Sequence, residues 1–199
     1  MKYVILIPIY NDRESLKLLL ENINSEIKDL NHEISIIVIN DASSQQIIDN
    51  YSNIENISSL EIINMKENRG HARCIAAGLK YIFEKKEFDF VIPMDGDGED
   101  RPEEIKNFIQ FSEKSNDKSI IGERVKRSES LFFKICYQFH KFLTFVFTGQ
   151  SIKFGNFTCL SKSTVKKLLD EKSTWNSFSG SLKKIEKDLL SIPSIRGKR

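Results

Sequence analysis

The 199 residues carry 40% hydrophobic content, enough to bury one substantial core and too little chain for two full-sized domains, so a single α/β domain is expected. Thirty Lys+Arg against 28 Asp+Glu leave a net charge of +2, which excludes a global field that draws in nucleic acid and leaves any basic surface local. Cys74, Cys136 and Cys159 are widely spaced with no CxxC pair, which argues against a disulfide framework or a zinc site and suits free thiols in a reducing cytosol.

In chain order, the apolar run 4–9 is broken too early by Pro8 and by Asn11-Asp12-Arg13-Glu14 to be a secretory segment, and it reads as a first strand over 2–9. Leu16, Leu19, Leu20, Ile23, Ile27 and Leu30 then recur at helical spacing, with Asp12 placed to cap the N-terminus. A second strand is expected over 33–40, where continuous Ile-Ile-Val-Ile suits burial on both faces, closed by the polar loop Asp41-Ala42-Ser43-Ser44. A short helix, a third strand at 60–64, the loop Asn68-Arg69-Gly70 and a helix carrying Ile75, Leu79, Ile82 and Phe83 follow.

The run 88–94 predicts a fourth strand leading into Asp95-Gly96-Asp97-Gly98-Glu99-Asp100; Pro102 suits a first helical turn, and Glu103 completes a capping box with Asp100 before a helix to about residue 114. Beyond a strand at Ile120-Ile121 lie a basic segment (Arg124, Lys126, Arg127) and an aromatic stretch, 131–147. In the latter Phe132, Cys136, Phe139, Leu143 and Val146 form one stripe of an amphipathic helix. Lys134, His140 and Lys141 interrupt that stretch, and bilayers call for about 20 uncharged residues, so it is not read as transmembrane. Strand-like runs alternating with helical ones predict a mostly parallel sheet covered by helices.

Ligands of open parallel sheets bind beyond the carboxyl ends of the strands. Here three such ends carry suitable groups: Pro8-Ile9-Tyr10-Asn11-Asp12, Asn40-Asp41-Ala42-Ser43 and the acidic cluster. Asp95, Asp97 and Glu99 alternate with two glycines and can turn oxygens onto one hard cation; a solvated acidic turn is the plain alternative. An EF-hand is excluded, because its glycine would fall at Asp100 and its final glutamate at Lys106.

Pro8-Ile9-Tyr10-Asn11, Asn40-Asp41-Ala42-Ser43, Asn68-Arg69-Gly70-His71-Ala72 and the segment from Asp95 to Glu103 resemble, in order and spacing, the successive motifs of family-2 glycosyltransferases with the GT-A (Rossmann-like) three-layer α/β fold. Gly122-Glu123-Arg124, Gly149, Gly155-Asn156-Phe157 and Arg196-Gly197-Lys198-Arg199 extend the resemblance to the polyprenyl-phosphate, dolichyl-phosphate mannose synthase-like branch.

The resemblance implies a nucleotide-sugar and metal-binding half over 1–115 and an acceptor-side half over 116–199 of one catalytic domain. Pro8, Tyr10, Asp12, Asp41, Asn68, Arg69, Gly70 and Asp95 would bind a UDP- or GDP-sugar donor, with Asp41 at the nucleobase. Asp95, Asp97 and Glu99 would take Mg2+ or Mn2+; Asp95, Asp97 and Arg124 would be catalytic; Arg124, Arg127 and Asn156 would face the acceptor phosphate. The sequence departs from the family in having Glu99 where Gln is more usual and Asn40-Asp41-Ala42-Ser43 in place of the usual VDDGS loop. Relatives commonly continue into transmembrane helices where this chain stops at Arg199.

The acceptor follows from an absence: between Glu129 and Asp170 there is no Asp or Glu to serve as base toward a sugar hydroxyl. A phosphomonoester needs none, since its second pKa near ~6 leaves it largely anionic at neutral pH. A lipid phosphate at the cytoplasmic face of a membrane is therefore expected, with peripheral membrane contact through the basic and aromatic stretches. The alternatives are transfer to a sugar hydroxyl, or a non-catalytic domain that binds a nucleotide sugar. Nucleotidyltransferases and dinucleotide oxidoreductases are disfavoured, because residues 8–14 contain no glycine for a phosphate loop.

Overall fold

The computed structural model describes residues 1–45, 51, 54–124 and 154–197. Lys126, Arg127, Cys136, Gly149, Lys198, Arg199 and the aromatic stretch 131–147 lie outside the described residues, as does most of the region where a short helix was expected before the third strand.

The described strands are β1 (Lys2–Ile9), β2 (Glu33–Asn40), β3 (Ser59–Asn64), β4 (Phe90–Pro93), β5 (Ile120–Arg124), β6 (Phe154–Ser161) and β7 (Leu190–Ser194). They form one sheet in the order β3-β2-β1-β4-β6-β5-β7. β1 pairs in parallel with β2 and β4, β2 with β3, and β5 with β7, whereas β6 runs antiparallel to both β4 and β5. The mostly parallel expectation holds, and residues after 116 extend the same sheet with strands whose position in the sheet the sequence reading did not anticipate.

Five helices cover it among the described residues: α1 (Arg13–Ile27), α2 (His71–Lys85), α3 (Ile105–Ser112), α4 (Lys162–Asp170) and α5 (Phe178–Ile185). Side chains alternate across a strand, and β1 divides accordingly. Tyr3, Ile5, Ile7 and Ile9 join the cluster that holds Leu16, Leu20 and Ile23 of α1 and Phe108 of α3. Val4 and Leu6 face the opposite cluster, with Ile75 and Leu79 of α2, Val165 of α4 and Leu182 of α5. Both faces of β1 and β2 are thus dry, which accounts for their uninterrupted apolar sequence and yields three layers.

Asp12 caps α1 as expected, its Oδ1 accepting from the Ser15 amide at 3.3 Å. The box expected between Asp100 and Glu103 does not form. Asp100 instead turns back to accept the Asp95 amide at 2.8 Å, and a short 3-10 turn, Pro102–Glu104, opens toward α3 with no side-chain cap. Helix α3 stops at Ser112, whose hydroxyl bonds back to the Ile109 carbonyl at 2.7 Å, rather than reaching residue 114. Strand β4 spans only Phe90–Pro93 of the expected run 88–94.

Candidate functional site

Connections from β1 lead to β2 and β3 on one side, while β4 lies on its other side; ligands of such sheets seat in the crevice where the strand order reverses. A cleft of about 300 Å³ occupies that point, lined by Pro8, Tyr10, Asp12, His71, Asp95, Asp97 and Asn156 among others. The end of β1 and the loop after β4 touch closely at this cleft. A Cβ added at Gly96 would lie 2.9 Å from the Pro8 carbonyl oxygen, so only glycine allows this approach. A second recess of about 590 Å³, lined by Asn11, Arg13, Glu14 and Gln45, shares Asp12 with the first.

The loop after β2 is braced from two sides. Asn11, at φ 51, offers Oδ1 to the Ser44 amide at 2.8 Å, and its own amide donates to Ser43 Oγ at 2.9 Å. Asp41, 4% exposed, accepts the Arg69 amide at 2.7 Å on one carboxylate oxygen and the Gly70 amide at 2.8 Å on the other. Its carboxylate therefore fixes the Asn68-Arg69-Gly70 turn at the start of α2, where exposed N–H groups favour an anion. Burial pushes the adjacent Cys74 thiol up to about 12, with its hydrogen bond to Asp41 adding to the effect. Arg69 and Asn68 present exposed side chains, and the Arg69 guanidinium pairs with Glu67.

The acidic loop is ordered by its own groups and by distant ones. Asp97 Oδ1 accepts the Glu99 amide at 3.1 Å, a local turn bond of the kind aspartate favours. Asp95 Oδ1 accepts the side-chain amide of Asn156 at 3.0 Å and lies 3.3 Å from His71 Nε2. Asn156 and His71 are themselves 2.7 Å apart. Arg196 reaches the loop from beyond β7: its Nη2 is 3.2 Å from Asp95 Oδ2 and its Nη1 is 2.5 Å from Glu99 Oε2. Burial pushes the Asp100 carboxyl up to about 7, and the Asp95 charge adds to this; the Asp95 amide and the Arg196 and Arg124 charges oppose it.

Two of the three carboxylates expected to take a metal, Asp95 and Glu99, thus converge on one positive group. That convergence fits a hard cation held by one or two carboxylates and completed by phosphate oxygens. Among the described residues no three His, Cys, Asp or Glu side chains are arranged to hold a metal ion by themselves. Tyr10 stands 52% exposed at the cleft rim. Asn156, expected on the acceptor side, lies at Asp95, while the Arg124 guanidinium rests against Gly155 one residue away. Arg127 lies outside the described residues.

Sequence reasoning missed two contributors. Arg196 was visible only as part of a terminal basic motif, and His71 only as part of a nucleotide-loop motif; neither carries a local signal for contact with Asp95. Among the described residues no helix is long and apolar enough to cross a membrane.

The model of glycosyl transferase family 2 matches residues 4–171. Undecaprenyl-phosphate 4-deoxy-4-formamido-L-arabinose transferase of Proteus mirabilis is 30% identical over 173 residues, covering 85% of this chain and 50% of its own length. The same-named protein of Photorhabdus laumondii is 31% identical, covering 81% of this chain and 48% of its own. The chain spans about half the length of these curated relatives.

Among solved structures, S. aureus TarS 1-349 in complex with UDP-GlcNAc superposes with a TM-score of 0.64 at 15% identity, covering 100% of this chain and 59% of that one. Mannosyltransferase PcManGT from Pyrobaculum calidifontis, in complex with GDP-Man and Mn2+, gives 0.63 at 15% identity, covering 98% and 56%. At such identities the likeness establishes the fold, which is GT-A. With the family model matching most of its length, the chain belongs to glycosyl transferase family 2.

Proposed function

We propose that this domain transfers a sugar, with inversion, from a UDP- or GDP-sugar to a polyprenyl phosphate at the cytoplasmic face of a membrane. The observation that carries the reading is the meeting of Asp95, Asp97, His71 and Asn156 in one cleft at the β1/β4 reversal, beside a backbone turn that Asp41 holds in place. The names of the curated relatives support the acceptor, and the donors bound by the structural neighbours support a nucleotide sugar.

Mg2+ or Mn2+, held by Asp95 with Asp97 or Glu99, would neutralise negative charge growing on the departing diphosphate. The chain's own groups do the rest. Pro8, Tyr10 and Asp12 line the donor side of the cleft, and the Asn68-Arg69-Gly70 turn borders it. Asn156 orients the Asp95 carboxylate by donating to Oδ1; Oδ2, against which Arg196 lies at 3.2 Å, is the oxygen that would turn to a cation. Arg124, with Arg127, supplies guanidinium forks suited to phosphate oxygens. No base is required, because the acceptor oxygen is already anionic at neutral pH. The basic and aromatic stretch between β5 and β6 would meet the lipid surface.

The test is a transfer screen of labelled UDP- and GDP-sugars against a short polyprenyl phosphate and against free sugars, with Mn2+. Transfer to the lipid phosphate is expected. Transfer only to sugar hydroxyls overturns the acceptor assignment, and donor binding with no turnover identifies a non-catalytic domain.

A further inference from the structure

The acidic loop that carries the proposed metal ligands already has a cation of its own. Arg196 spans it, with one nitrogen 3.2 Å from Asp95 Oδ2 and the other 2.5 Å from Glu99 Oε2. Its side chain is 30% exposed, against 17% for Asp95 and 24% for Glu99, so the contact is partly withdrawn from water and less screened than a surface pair.

The position is built rather than incidental. On one side of Arg196, the Ile195 amide donates to Glu104 Oε1 at 2.8 Å, and Glu104 is itself buried. On the other side the Gly197 amide donates to the Glu99 carbonyl at 2.8 Å. Residue 197 must be small, because a Cβ there would lie 2.8 Å from the Gly98 carbonyl oxygen. Both neighbours of Arg196 are therefore pinned to the acidic loop and its following turn, which delivers the guanidinium to the carboxylates at little cost in chain entropy.

We propose that Arg196 is the resting counter-ion of the metal site: its guanidinium competes with the divalent cation for Asp95 and Glu99, and leaves them when the donor's diphosphate brings in negative charge. The inference rests on the metal-dependent reading above. Two like-charged groups cannot share two carboxylates without strong repulsion, so cation binding and the Arg196 bridge exclude each other. A diphosphate relieves the conflict, because guanidinium forks pair with its oxygens as well as with carboxylates. Metal and donor then favour one another's binding, and by linkage each raises the other's affinity by the same factor. The arrangement withholds the metal site from free cations until a nucleotide sugar is present.

The test is Mn2+ titration, by calorimetry, of the wild-type chain and of Arg196→Gln and Arg196→Lys, with and without UDP- or GDP-sugar. Without donor, Arg196→Gln is expected to bind Mn2+ about five- to tenfold more tightly than wild type, the lower range of typical coupling factors. The gain that donor confers should shrink correspondingly, while Arg196→Lys, which keeps the charge without the fork, falls between the two. A merely structural role predicts the opposite sign, weaker binding in Arg196→Gln, and that result or an unchanged affinity overturns the proposal. If the wild type binds no Mn2+ even with donor, the metal-dependent reading fails and takes this one with it. Wild-type binding with donor but no gain in Arg196→Gln overturns this inference alone. Should Arg196→Gln fail to fold, the arginine Nε–Hε resonance missing from the Arg196→Lys spectrum reports on the wild type directly: it is expected to shift when Mg2+ and donor are added together, and its constancy overturns the proposal.

Discussion

Asn156 donates to Asp95 at 3.0 Å across 61 positions of sequence, so a residue of β6 sets the orientation of the carboxylate at the mouth of β4. Groups that orient a metal ligand commonly cost about 10–100-fold in metal affinity or activity when removed. Asn156→Ala is accordingly expected to weaken Mn2+ binding in the presence of donor by about that range, with little change in melting temperature, since the residue lies on the cleft wall rather than in the core. Calorimetric titration beside a thermal melt checks both halves of the prediction.

Asp41 makes a different kind of contribution. Both its oxygens accept backbone N–H groups, at 2.7 and 2.8 Å, in a nearly dry setting. Asparagine there has one acceptor oxygen and one donor amide, so either Arg69 or Gly70 would face another donor. Asp41→Asn should lower folding stability by about 1–3 kcal/mol, the cost of one unsatisfied buried group. Urea unfolding measures the loss. A larger proportional loss of donor affinity than of stability is also expected, because the freed turn borders the cleft.

Part of the acid sensitivity should come from the Glu171–Lys184 pair. Lys184 at 2.7 Å, together with the amide and hydroxyl of Ser173, holds the Glu171 carboxyl well below its ordinary 4.5, at about 2. A depressed folded-state value means that the contribution is complete above about 4.5 and is lost as pH falls through 2. Glu171→Gln should therefore flatten the decline in stability between those limits and leave its pH dependence above 5 unchanged; urea midpoints across the range decide this.

The thiols make a chemical prediction. Burial, reinforced by the hydrogen bond to Asp41, pushes Cys74 up to about 12, and complete burial raises Cys159 further still. The thiolate is the reactive form, so at pH 8 iodoacetamide should leave both unmodified in the native chain and label them once it is denatured. Peptide mass spectrometry reads the outcome. Rapid native labelling of Cys74 would mean that the turn gripped by Asp41 opens readily.

Strands β1 and β2 were legible in the sequence to their boundaries because burial on both faces demands an unbroken apolar run. Asp12 was legible because capping is local. β6 was not: Asn156 and Thr158 interrupt its apolar signal, and its antiparallel place between β4 and β5 is set by distant partners. Pro193 and alternate exposure hid β7, which lies parallel to β5 at the sheet edge. Asp100 and Glu103 had the spacing of a cap, but the unpaired Asp95 amide was the nearer claim on Asp100 once the loop folded. The chemistry-bearing loops after β1, β2 and β4 were legible as motifs, whereas the Arg196 bridge to Asp95 spans 101 positions and leaves no local trace.

Asp95 and Asp97 are expected to bring a divalent cation to the donor's diphosphate. The most direct measurement is Mn2+-dependent donor turnover, transfer or hydrolysis, by wild type and by Asp97→Ala, with donor binding followed in parallel. Wild type should require the metal, and Asp97→Ala should lose about 10²–10³-fold in turnover, the usual cost of removing one group that stabilises developing charge. Metal-independent turnover, or turnover and binding that survive Asp97→Ala unchanged, would contradict it.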